Sequence, residues 1–126
     1  LASNGIKVRV WGIGWECMHS HPGLILEKKP AYLTDYTRVL NATKINLCFL
    51  RKINRDLQTA RSMEIPACRA FMLAERTSEH LRLFEEGKEA EFFDIDKPEE
   101  LLAKVRYYLT HDKEREAIAR GGYERC

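Results

Sequence analysis

Asp56 and Glu64 are two carboxylates with seven residues between them, in the run Asp56-Leu57-Gln58-Thr59-Ala60-Arg61-Ser62-Met63-Glu64. The spacing alone has a bland reading, in which Asp56 caps a helix and Glu64 is solvated. The context of Glu64 favours chemistry, because it stands beside Ile65, Ala67 and Cys68, where an acid on a short helix needs a partner. A ribose diol is one such partner, since a carboxylate accepts two hydroxyls at once. Thr59 and Arg61 stand at the start of the same helix, where backbone amides favour a phosphate. Arg61 has a competing role as a surface ion-pair residue.

Other residues with chemical potential weigh less. Gly12-Ile13-Gly14 forms a glycine turn at the end of a strand pattern. Cys17, His19 and His21 are spaced like metal ligands but lack a fourth, so no metal site is expected. His80 falls in a first helical turn and reads as a surface residue rather than a base. Lys44 precedes a buried strand, at the end of a sheet opposite to the ligand end. Trp11 and Trp15 read as core aromatics before they read as base-stacking ones. The four cysteines, Cys17, Cys48, Cys68 and Cys126, show no paired spacing and read as reduced thiols, two of them in the core.

The elements that must position these groups follow from periodicity. Strands are predicted at Ile6 to Trp11, Leu24 to Leu26, Ile45 to Leu50, Ala70 to Ala74 and Glu91 to Ile95. Helices are predicted over Ala31 to Thr43, Ala60 to Cys68 and Thr77 to Glu86, the last ended by Gly87. Asp96-Lys97-Pro98-Glu99 reads as the N-terminal cap of a further helix with Leu101, Leu102, Val105, Tyr108 and Leu109 on one face. A charged helix from about Asp112 to Arg120 is expected to stop at Gly121-Gly122. Short apolar strands alternating with helices imply a parallel sheet covered on both faces, an α/β Rossmann-like fold. Ligands in such sheets sit at the carboxyl ends of the strands, which points to the loops Gly12 to Trp15, Arg51 to Thr59 and Glu75 to Glu79.

Composition narrows the function. A hydrophobic fraction of 44% and a charged fraction of 32% over 126 residues are those of a single domain, residues 1–126. The net charge of +2 gives no field for nucleic acid or an anionic membrane. No apolar run approaches a membrane span and no signal peptide is legible, so a cytoplasmic location is expected.

The stretch Arg61-Ser62-Met63-Glu64-Ile65-Pro66-Ala67-Cys68, followed by Phe71-Met72-Leu73 and Glu75, resembles the C-terminal, donor-binding domain of group 1 glycosyltransferases of the GT-B fold. It is similar in particular to the branch that includes spore maturation protein CgeB. Asp56, Glu64, Ala67-Cys68 and Glu75 fall into the family's register, and the likeness continues through Leu81 to Phe84, Gly87, Pro98 to Leu109 and Glu114 to Arg120. The resemblance implies transfer of a sugar from a nucleoside diphosphate sugar to an acceptor. It implies Glu64 as the ribose ligand, Asp56 as the sugar-facing acid, and Thr59 and Arg61 near phosphate. Gly12 and Gly14 would form the glycine turn of the family's second strand. No cofactor or obligatory metal is implied beyond the donor itself.

Two positions depart from the family. Arg69 replaces the glycine that usually follows the cysteine, and Asp56 stands where many relatives carry Glu. The family's first strand and acceptor domain have no counterpart. The expectation is therefore a fragment of a longer enzyme, inactive in isolation and able to pair through an open strand edge as a homodimer. The competing readings are a phospho-receiver-like signalling domain, which lacks its acidic pair after Trp11, and a degenerate domain kept for protein contacts.

Overall fold

The computed structural model describes residues 6–11, 24–27, 34–49 and 60–125. Two compact units divide the chain between Val39 and Leu40. In the first, β1 (Val8–Trp11) and β2 (Leu24–Glu27) pair in parallel, with Val8 opposite Leu24 and Trp11 opposite Glu27. Helix α1 (Thr34–Ala42) follows.

The second unit contains β3 (Asn46–Cys48), α2 (Ala60–Ala67), β4 (Met72–Glu75), α3 (Ser78–Leu83), β5 (Glu91–Phe93), α4 (Pro98–Thr110) and α5 (Asp112–Arg125). Its sheet has the order β3-β4-β5 and is parallel throughout, with Ala74 opposite both Cys48 and Phe92. Parallel neighbours need a crossover, and α2 and α3 lie in those connections. Every residue of β4 and β5 is buried. Successive side chains point to opposite faces, so both faces of these strands are covered, as the α/β Rossmann-like reading requires. Asn46, a polar residue in a buried strand, donates Nδ2 to the carbonyls of Leu40 and Phe71 at 3.2 Å each. It thereby ties Leu40 to Phe71, the residue before β4, within the second unit.

Several boundaries differ from the sequence reading. α3 ends at Leu83, because Phe84 leaves the helix at φ −138° and ψ 143° to enter the core. Gly87, at φ +84°, serves the following turn instead. Asp96 does not cap α4: Lys97 holds the cap position without a side-chain bond. The turn is closed by Asp94, which accepts the Asp96 amide, and by Glu100, which accepts the Asp94 amide. One of the two described cysteines, Cys48, is buried, while Cys68 is half-buried.

The largest difference is in α5, which runs through Gly121-Gly122 to Arg125. Both glycines are there for close approach. A Cβ on Gly121 would strike the Lys88 carbonyl, and one on Gly122 would lie 2.5 Å from the Glu89 carbonyl. Inside an ordinary helix Gly→Ala stabilises by about 1 kcal/mol. Here Gly122→Ala is expected to destabilise by about 1–3 kcal/mol, since the rigid backbone turn cannot yield. Equilibrium urea unfolding reads the sign directly.

α2 closes with a paired turn in which Ala70 N donates to Ile65 O at 3.2 Å and Arg69 N to Pro66 O at 2.9 Å. This pattern places its penultimate residue in the left-handed region, and Arg69 lies there at φ 60°. The position at which the sequence departs from the family is thus one where glycine is favoured.

Candidate functional site

The carboxyl ends of β3 and β4 are assembled from α2 and the start of α3. Arg61, in the first turn of α2, donates Nη2 to the carbonyl of Phe49, the residue after β3, at 3.2 Å. That bond sets the start of α2 against the carboxyl end of the strand. Glu64 follows three residues later on the same side of the helix, and both side chains are exposed. Glu64 has no side-chain partner among the described residues. Ile65 turns inward at 1% exposed while Met63 and Ala67 face solvent beside Glu64, so the acid needs no internal partner, contrary to expectation.

The inner side of α2 carries a group that sequence reasoning missed. His80 is fully buried rather than at the surface. Its Nδ1 lies 2.6 Å from the Glu75 carbonyl, which can only accept, and this assigns the proton to Nδ1. With that proton on Nδ1, Nε2 is placed to accept from Ser62 Oγ at 2.7 Å, and Ser62 Oγ lies 3.9 Å from Cys48 Sγ. The ring stacks on Phe92 with centroids 5.6 Å apart and planes 1° from parallel. Burial pushes the Cys48 thiol up, outweighing the Ser62 hydrogen bond, so this sulfur stays protonated and unreactive. The chain Cys48, Ser62, His80, Glu75 carbonyl joins β3, α2, α3 and β4 and fixes the helix that carries Arg61 and Glu64. Its signal in the sequence is the four-residue spacing from Phe84, the core residue that ends α3, which puts His80 on the side of the helix that faces the core.

Thr77 caps α3 by accepting the His80 amide at 3.1 Å. Beside it, Arg76 donates to Glu86 at 2.7 Å and to Glu100 at 3.1 Å. Lys104 donates to the same Glu86 at 3.0 Å and to Glu91 at 3.2 Å, and Tyr108 donates to Glu91. Arg76 and Lys104 also donate to the Phe92 carbonyl, on the side of β5 away from β4. They cover that stretch of backbone against pairing with a further strand.

A family model described as glycosyl transferase-like matches residues 1–126. The chain belongs to this family. No curated protein and no solved structure matches it. Of the residues proposed from sequence for this glycosyl transferase-like domain, the structure brings Arg61 and Glu64 together on α2. Asp56, Thr59, Gly12 and Gly14 lie outside the described residues, as do Cys17, His19 and His21. Among the described residues no group of three or more His, Cys, Asp or Glu side chains could hold a metal, and no helix is long and apolar enough to cross a membrane. Lys44 precedes β3 and so lies at the amino end of the sheet, as its place in the sequence indicated.

Proposed function

We propose that this chain is the donor-binding part of a GT-B glycosyltransferase of the CgeB-like branch. It would transfer a sugar from a nucleoside diphosphate sugar to an acceptor bound by another domain. The observation that carries the reading is the placement of Glu64. An exposed carboxylate with no partner among the described residues sits on α2 in the register of the family's ribose-binding acid, beside an arginine held at the carboxyl end of β3. Glu64 accepts two ribose hydroxyls. Arg61, Thr59 and the amides at the start of α2 face the diphosphate, Asp56 faces the sugar, and Gly12-Ile13-Gly14 lets backbone approach the ligand. Charge on the leaving diphosphate is balanced by these cationic and amide groups without an obligatory metal.

A thermal-shift titration with UDP, GDP, ADP and CMP, with and without EDTA, tests this. One nucleotide is expected to raise the melting temperature saturably and independently of metal, and Glu64→Ala is expected to remove the effect at the same concentrations. The reading fails if no nucleotide protects the native chain, or if protection is unchanged in Glu64→Ala.

A further inference from the structure

At the amino end of the sheet, opposite the proposed donor site, the turns before β3 and β4 and the flank of α5 enclose a concavity of about 180 Å³. Its wall includes Leu40, Phe71, Lys44, Arg69, Arg115 and Glu116, so cations outnumber acids there. Three features distinguish these cations from ordinary surface charge. Lys44 is exposed and makes no ion pair among the described residues. Arg69 occupies a left-handed position, φ 60°, at which glycine would carry no steric penalty, and its guanidinium lies over the ring of Tyr123 at 5.6 Å. Arg115 is buried, at 9% exposure, and only its Nη1 is engaged, by the Tyr108 carbonyl and Asp112 at 2.7 Å each. Among the described residues Nε and Nη2 of that buried guanidinium have no acceptor, an expensive arrangement unless a ligand supplies one.

The geometry points to a second, anion-binding site in this concavity, taking the phosphate group of a phosphomonoester. Two arginines and a lysine line one small space, and a tetrahedral dianion can accept from several such donors at once. Glu116 disfavours highly charged ligands and leaves room for a hydroxyl donor on the organic part. This site is independent of the donor reading, since it shares no residue with α2's exposed face.

The probe is inorganic phosphate, titrated into the full 126-residue chain with chloride at matched ionic strength as control, the melting temperature being read throughout. Phosphate is expected to stabilise saturably beyond chloride, with Lys44→Ala and Arg69→Gly each weakening the apparent affinity on the order of tenfold. Arg69→Gly separates binding from folding, because removing the left-handed arginine is expected to raise the phosphate-free midpoint by roughly 3–6 °C while the phosphate response falls. Stabilisation by phosphate no greater than by chloride overturns the proposal. So does a phosphate response that survives undiminished in Lys44→Ala and Arg69→Gly, which would place the ion elsewhere.

Discussion

Replacing His80 by alanine is expected to cost about 3–5 kcal/mol of stability, the largest effect of any single substitution in the second unit. The imidazole fills fully buried space against Phe92, and it satisfies two groups that have lost water, the Glu75 carbonyl and the Ser62 hydroxyl. Truncation opens a cavity and removes both hydrogen bonds. His80→Phe divides these contributions: the ring and its stacking remain, the hydrogen bonds do not, and about 2–4 kcal/mol should still be lost. Urea denaturation followed by circular dichroism measures both, with the slope against denaturant unchanged if the unfolded state is unaffected. A His80→Phe variant within about 0.5 kcal/mol of the native chain would show that the buried hydrogen bonds contribute nothing net. The same substitution reaches the proposed donor site. Ser62 holds the inner side of α2 to His80, so its release loosens the helix that presents Glu64 and weakens nucleotide binding without touching the ligand.

The succession of elements was legible because strand and helix signals alternate cleanly. Ala70 to Ala74 is apolar enough to announce β4 within two residues of its observed start, and Thr77 caps α3 as its type suggests. What local signals could not reveal are features whose cause is a distant backbone. Gly121-Gly122 has the appearance of a helix stop, and only the approach of the Lys88-Glu89 turn shows why glycine is tolerated within α5. His80 has the composition of a surface position, and only the arrival of Ser62 and Phe92 explains its burial. Glu64 errs in the other direction: its neighbours suggested an acid in need of a partner, yet the rotation of about 100° per helical residue turns Ile65 inward and leaves Glu64 in solvent. Arg69 was legible as a departure from the family, and the positive φ found there gives that departure its physical meaning.

Acid should unfold the chain through the cluster that joins β4, β5 and α4, and Arg76 is the group that sets the response. The Arg76 guanidinium holds Glu100 down to about 2, against burial, with the Asp94 amide adding to the effect. Burial alone would raise Glu86, but hydrogen bonds from Arg76 and Lys104 bring it below the usual carboxylate range. A carboxylate whose folded pKa is depressed binds its proton more readily when unfolded, so its contribution is complete above the unfolded value of 4.5 and is lost as pH falls toward about 2. The native chain is therefore expected to lose stability steeply between about pH 5 and 2. Arg76→Ala should cost about 2–4 kcal/mol at neutral pH, since it leaves Glu86 and Glu100 facing each other with Lys104 alone between them. Its stability curve should also be flatter in acid, because Glu100 returns toward its ordinary value and less linkage remains. Lys104 keeps Glu86 partly depressed, so some slope survives. Urea midpoints at intervals of pH resolve both effects, and a variant curve parallel to the native one would show that Arg76 does not govern the titration. The contrast has a structural consequence. Arg76 and Lys104 cover the Phe92 carbonyl only while their carboxylates are ionised and hold them across β5. Protonation of Glu86 and Glu100 loosens both cations, so loss of stability in acid should be accompanied by association through the uncovered strand.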